Sequence, residues 1–172
     1  VLVDHVRHHY LGDAAPVSHP AAVALVVVAQ QMAGEGYWDL AIARYRRSVE
    51  IAPGTRGPNL GLAWLLSTCP VDSLRNGEEA VEVLAALGDR YQADPQFLDV
   101  QGAVLAENGQ FESAVATVRR AIFQFEAAGR VDESFLDTVR QRLDLYQRGV
   151  PFRVEALAAA QSSGQASGPG QP

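Results

Sequence analysis

The chain has 172 residues, of which 48% are apolar and 20% charged, a composition typical of an ordinary globular domain. Its formal charge of −6 argues against a surface for nucleic acids or anionic membranes, because both attract a basic field. No apolar run approaches the roughly 20 residues that span a bilayer. We therefore expect a soluble chain, and the single Cys69 does not indicate whether its compartment is the cytoplasm or the periplasm.

Glycine and proline residues divide the chain into pieces of helical length, and no segment shows the strict alternation of a strand. Residues 1–20 are interpreted as a linker or the end of a preceding element. Because the chain begins with Val1 and not with methionine, we expect a fragment of a longer protein. The spacing of apolar residues predicts an all-α domain over residues 21–150, with helices at 21–34, 37–52, 58–68, 77–93, 95–107, 111–127 and 131–148.

Several of these boundaries have local causes. Asp94 precedes Pro95, so its carboxylate can accept the free amides of a helix whose first residue has no amide to satisfy. Pro53 and the Cys69-Pro70 step end the second and third helices. Residues 151–172 are predicted to form a flexible tail, with one frayed turn between Arg153 and Ala160, because Gly, Ser, Gln and Pro dominate its end.

Two runs of 13 residues, Gly36–Ser48 and Gly109–Ala121, follow the same pattern. In each run, alanine lies five positions after the glycine. Apolar residues lie six and nine positions after it, and a small residue lies twelve positions after it. This pattern resembles the tetratricopeptide repeat, in which small residues stand where two helices touch. The resemblance implies a right-handed superhelical stack of three antiparallel helical hairpins, of a type found in bacterial repeat proteins.

The spacing of the repeats places one insertion. Gly36 and Gly109 lie 73 residues apart, about 5 more than two repeats of about 34 residues would span. The distances between the small contact residues of the outer hairpins are regular, so the excess falls within Cys69–Asn76, between the two helices of the middle hairpin. The hairpins are predicted at 22–55, 56–94 and 95–128.

A last helix at 131–148 is predicted to close the stack, because the final hairpin would otherwise expose an apolar face. One side of this helix carries an apolar stripe formed by Val131, Phe135, Val139, Leu143 and Tyr146. No matching cap precedes Ala21, which agrees with the expectation that the chain is a fragment.

Residues with catalytic or metal-binding potential are few. His5 and His9 are spaced to share a helical face beside His8, which suits a transition metal, but neither a cysteine nor a second ligand pair accompanies them. A solvated linker is the favoured interpretation. Cys69 has no neighbouring base to stabilise a thiolate, and nucleophile-elbow and phosphate-loop motifs are absent from the sequence. We expect no catalytic residues, no metal and no cofactor, and hence no enzyme.

The resemblance also implies a binding surface. In tetratricopeptide domains the first helices of successive hairpins line a concave groove that takes an extended peptide or a partner's helix. The matching partner-binding positions in this sequence are Val26, Gln30, Leu60, Trp64, Asp99 and Ala103, with Ala33, Ser67 and Glu107 beside them. Trp64 is the natural anchor, because buried indoles dominate interface energetics. The alternative is that Trp64 packs under a neighbouring hairpin or the long loop.

The groove positions indicate the chemistry of the partner. They include no lysine or arginine, and Asp99 and Glu107 would repel an acidic segment. A neutral, apolar or mildly basic protein segment is therefore expected. The sequence predicts a non-catalytic protein–protein interaction scaffold, with self-association possible. The alternative is an accessory domain of a larger enzyme, a transferase or kinase, whose catalytic domain lies upstream.

Overall fold

The computed structural model describes residues 19–129 and 132–154, and these residues form seven α-helices and no strand. The predicted all-α class is confirmed. The predictions for residues 1–18 of the linker, which include His5, His8 and His9, and for the tail from residue 155 onward lie outside the described residues. The helices are α1 (Pro20–Gly34), α2 (Trp38–Ile51), α3 (Arg56–Thr68), α4 (Gly77–Ala85), α5 (Pro95–Glu107), α6 (Phe111–Ala128) and α7 (Glu133–Gln147).

Six of the seven predicted helices match the structure to within two residues at each end, and the helix predicted at 77–93 does not. This prediction was wrong because the helix ends at Ala85. Gly88 then adopts φ +60°, a left-handed conformation that interrupts helical hydrogen bonding, and a short 3₁₀ turn, Gly88–Tyr91, follows. The break turns Leu87 fully into the core.

The predicted start of α5 is confirmed. The Asp94 carboxylate accepts hydrogen bonds from the amides of Gln96 (2.8 Å) and Phe97 (3.1 Å), which have no carbonyl partner within the helix. The guanidinium of Arg56, the first residue of α3, also pairs with Asp94 at 2.8 Å. The cap of α5 is therefore tied directly to the N-terminus of α3.

The helices pack in a repeating order. Helices α1 and α2, α3 and α4, and α5 and α6 form pairs, and each pair contacts the next through α2 with α3 and α4 with α5. Alternate helices also touch, α1 with α3 and α3 with α5, while α7 packs on α6. Helix α3 is the centre of this arrangement, and ten of its 13 residues are buried.

Small residues lie at the helix contacts. If Gly102 carried a Cβ, that atom would lie 2.3 Å from Val118 Cγ2, so α5 and α6 approach each other closely here. A Cβ on Gly61 would lie 2.3 Å from the ring of Tyr45, which brings α3 equally close to α2. Five alanines of these helices are also fully buried: Ala29, Ala41, Ala63, Ala80 and Ala114.

The insertion lies where the spacing predicts it. Residues Cys69–Asn76 connect α3 to α4 and contain a 3₁₀ turn, Asp72–Leu74. The amide of Asn76 donates to the carbonyl of Leu66 at 3.0 Å, and the Asn76 side chain accepts from the amide of Glu79 at 3.0 Å. The loop is thus fastened to the end of α3 and caps α4.

Helix α7 buries the apolar stripe expected of a closing helix. Phe135, Val139 and Tyr146 are buried and Leu143 is half-buried, whereas Val131 lies outside the described residues. The ring of Phe135 packs edge-on against Phe125 of α6, with centroids 5.3 Å apart. In the part of the chain that the structure describes, no helix has the length and apolar character needed to cross a membrane.

Replacing Ala114 by leucine tests the close contact between α5 and α6. Ala114 is fully buried, so we expect Ala114→Leu to lower the free energy of unfolding by about 1–3 kcal/mol through overpacking. Urea denaturation followed by circular dichroism measures the change. Ala116→Leu is the matched control, because Ala116 is exposed on the same helix and should tolerate the larger side chain. Equal stability of the two variants would contradict the contact.

Candidate functional site

The residues predicted to line the groove are mostly inside the molecule. Val26, Leu60, Trp64, Asp99 and Ala103 are at most 5% exposed, and Gln30 is half-buried. Their side chains therefore contact other parts of this chain in the structure. Trp64 is covered by α7 and by the residues that follow it. The alternative considered from the sequence was a neighbouring hairpin or the long loop, and not this part of the chain.

Arg142 of α7 reaches across to α5. Its Nε donates to Asp99 Oδ1 at 3.1 Å, and its Nη2 donates to Asp99 Oδ2 at 2.6 Å. The side chain of Arg142 is 4% exposed and that of Asp99 is 0% exposed, so both charges are removed from water. A two-pronged guanidinium–carboxylate pair is the geometry in which buried charges compensate each other best.

The same guanidinium lies among aromatic rings. It is 5.2 Å from the centroid of Trp64 and 5.5 Å from that of Phe152, and the two rings lie 5.7 Å from each other. The ring centroid of Phe135 of α7 is 6.0 Å from the same guanidinium. These are cation–π distances, and such contacts strengthen when the charge is desolvated.

Residues 151–154 follow α7 as a non-helical segment that lies along α3. The amide of Val154 donates to the carbonyl of Thr68 at 2.8 Å, and Nη1 of Arg153 donates to the carbonyl of Ser67 at 3.1 Å. All four residues are half-buried. The sequence assigned these residues to the tail, and the structure holds them against the helical domain.

Glu107, the last residue of α5, lies between two guanidinium groups. Its Oε1 accepts from Nε of Arg75 at 2.9 Å, and its Oε2 is 2.7 Å from Nη2 of Arg153. The second contact is a close approach of charges without hydrogen-bond geometry, because Oε2 has no hydrogen-bond partner. The Glu107 side chain is only 13% exposed, so the surrounding water screens this cluster weakly.

The end of α3 explains why these groups converge. The last carbonyls of a helix have no partner within it. Here the Ser67 carbonyl accepts from Arg153 and the Thr68 carbonyl from Val154, while the Cys69 carbonyl accepts from Nη1 of Arg75 at 2.8 Å. Cationic donors are favoured at this end of the helix dipole. We call the surface formed by Trp64, Ser67, Thr68, Asp99 and Glu107 the α3/α5 face.

Cys69 has the surroundings of a structural thiol. The residue is fully buried. Burial raises the pKa of the thiol, and the charges of Arg75 and Arg153 oppose this rise only in part. The net rise reduces the amount of thiolate, which is the reactive form.

The predicted histidine cluster of His5, His8 and His9 lies outside the described residues. Within residues 19–129 and 132–154, no three His, Cys, Asp or Glu side chains are grouped to hold a metal ion.

Sequence reasoning missed Phe152, Arg142 and Arg153, the three residues that cover the face. A signal for Arg142 existed: it lies three residues after Val139 and four before Tyr146, within the apolar stripe of α7. An arginine at such a position predicts a buried acidic partner. For Phe152 and Arg153 the only signal was their difference in composition from the Gly- and Ser-rich end of the tail.

No protein-family model, curated protein or solved structure matches this chain at a significant level.

The buried pair of Asp99 and Arg142 generates a prediction on stability. Arg142→Met removes this counter-charge of the Asp99 carboxylate. We expect it to lower the free energy of unfolding by about 3–5 kcal/mol. In Asp99→Leu/Arg142→Met both charges are gone, so the double variant should unfold at a higher urea concentration than Arg142→Met. A double variant that is no more stable than the single one would show that the pair does not act as a unit.

The state of Cys69 predicts slow chemical modification. At about pH 8 a free thiol reacts readily, whereas a buried thiol with a raised pKa is both shielded and protonated. We expect Cys69 of the folded chain to react with Ellman's reagent at least about ten times more slowly than the same thiol in denaturant. In the folded chain the rate should be limited by the opening of the domain. The same chain in denaturant is the control. Equal rates in the two conditions would show that the thiol is accessible.

Proposed function

We propose that this chain is a repeat domain of the tetratricopeptide type and serves as a non-catalytic scaffold. Its three helical hairpins stack in a right-handed superhelix closed by α7, and a partner protein's segment binds at the α3/α5 face. The proposal assigns no catalytic residue, metal or cofactor to the domain.

The packing order of the helices supports this architecture. Each of α1 and α3 contacts both its own hairpin partner and the first helix of the next hairpin, and α5 contacts α6 and the preceding α3. Such contacts align the first helices side by side, which is the arrangement that produces a continuous binding surface in helical repeats. The small residues at the contacts, such as Ala63 and Gly102, supply the close approach that stacking requires.

The observation that carries the proposal is the seat of residues 151–154. A non-helical segment is held on the face by one main-chain hydrogen bond (Val154 to Thr68), one side-chain hydrogen bond (Arg153 to Ser67) and one aromatic contact (Phe152 with Trp64). These are the three kinds of contact that peptide-binding surfaces use for affinity and specificity. A surface that offers them to its own chain can offer them to a segment of another protein.

The charges of the face favour basic over acidic partners. Glu107 provides a carboxylate of low exposure, and the end of α3 provides carbonyl oxygens at the negative end of a helix dipole. The chain as a whole carries a formal charge of −6. A neutral or mildly basic segment therefore meets a favourable field, and an acidic one a repulsive field.

Selection from a displayed peptide library tests the function. The immobilised full chain should enrich peptides that bind it. Glu107→Gln should weaken their binding about tenfold, or about 1.4 kcal/mol, because it removes the negative charge that attracts a basic segment. Fluorescence anisotropy with labelled peptides measures the affinities.

Glu112→Gln is the matched control for this test. It makes the same chemical change at an exposed position on α6 that is not one of the residues of the α3/α5 face, and should leave the affinities unaltered. Circular dichroism spectra of both variants verify that they fold. If the folded full chain enriches no peptide, or if the enriched peptides bind Glu107→Gln as tightly as the wild-type chain, the proposed face is wrong.

A further inference from the structure

Part of the α3/α5 face is already covered by the chain's own residues. This inference rests on the proposed function and specifies the partner's chemistry. We infer that Phe152 and Arg153 are a built-in occupant of the face. The partner segment that displaces them carries an aromatic residue followed directly by an arginine.

The aromatic half of this motif follows from the surroundings of Trp64. The indole is 5% exposed, and Phe152 lies on it with ring centroids 5.7 Å apart. The Arg142 guanidinium contacts both rings, at 5.2 Å and 5.5 Å. Because Asp99 holds this guanidinium in place, the site offers a fixed aromatic ring and a fixed cation to any incoming side chain. An aromatic ring satisfies both, whereas an aliphatic side chain satisfies only the apolar contact.

The arginine half follows from two acceptors that lie apart. Arg153 donates a hydrogen bond from Nη1 to the Ser67 carbonyl at 3.1 Å, and its Nη2 forms an ion pair with Glu107 Oε2 at 2.7 Å. A guanidinium spans two such acceptors with its fixed fork, whereas a lysine ammonium is a single point of charge. The hydroxyl of Ser67, the residue whose carbonyl accepts from Arg153, is buried and makes no hydrogen bond. The site therefore has one more polar group that could bind a partner's side chain.

The seat of the segment is suited to exchange. Residues 151–154 are half-buried, unlike the fully buried core positions beneath them. They join α7 through Gly149, which has φ +70°, so a short tether holds them close to the face. A tether of this kind gives an effective concentration of about millimolar. A partner binds only the molecules in which the face is open. Its apparent affinity is therefore the intrinsic affinity multiplied by the fraction of open molecules.

A synthetic peptide provides the test. The probe is fluorescein-labelled Gly-Val-Pro-Phe-Arg-Val-Glu, the sequence of residues 149–155, and the protein is the full chain. In the variant Phe152→Ala/Arg153→Ala the occupant loses its contacts, so the variant should bind the probe at least about tenfold more tightly than the wild-type chain. Adding Glu107→Gln to this variant should reverse most of the gain, and a probe with Arg153→Glu should not bind.

A second measurement covers the case in which the double variant does not fold. In the wild-type chain, the Val154 amide donates to Thr68, so its hydrogen exchange reports on occupancy of the face. Millimolar probe should accelerate the exchange of this amide, and the Arg153→Glu probe should not. Unchanged exchange at saturating probe, or equal probe binding by the wild-type chain and a folded double variant, overturns the inference.

Library selection on the double variant separates this inference from the proposed function. Peptides that depend on Glu107 but lack the aromatic–arginine pair would leave the binding face standing and overturn the motif. If a folded double variant selects no peptide and does not bind the probe, then residues 151–154 are only a structural part of the domain. In that outcome both proposals fail.

Discussion

The arrangement of the α3/α5 face depends on the buried pair between Asp99 and Arg142. A carboxylate without access to water requires a counter-charge, and here the counter-charge comes from a helix that follows in the chain. Satisfying Asp99 fixes α7 across α5, and the guanidinium so placed brings Trp64 and Phe152 onto it. This one pair thus links the last helix to α5 and to the covering of the face.

We expect such a pair to contribute more to specificity than to stability. An apolar substitute of the same volume would fill the space between α5 and α7 without the cost of desolvating two charges. Charges, in contrast, favour the relative placement of the two helices in which they pair, because a shift of one turn would break this two-pronged contact. The closing helix is therefore positioned by polarity and held by the apolar contacts of Phe135 and Val139.

The sequence predicted the helical part of the fold closely and the site only in part. Helix bounds, the Asp94 cap and the insertion at Cys69–Asn76 depend on local chemistry or on the spacing of small residues, both of which are visible in one chain. The break at Gly88 was missed because a single glycine within an apolar pattern does not disclose its φ angle. The covering of Trp64 was missed because it depends on contacts between residues almost 90 positions apart.

The loop between α3 and α4, Cys69–Asn76, contributes charge contacts to the domain as well as connecting two helices. Loops of helical arrays usually vary in length without consequence, because extra residues extend into solvent. Here the added residues carry Arg75 back to Glu107 and to the Cys69 carbonyl, so they complete the charge balance on the neighbouring hairpin. Deleting residues from this loop would thus shorten it and also leave the Glu107 carboxylate short of one cation two helices away.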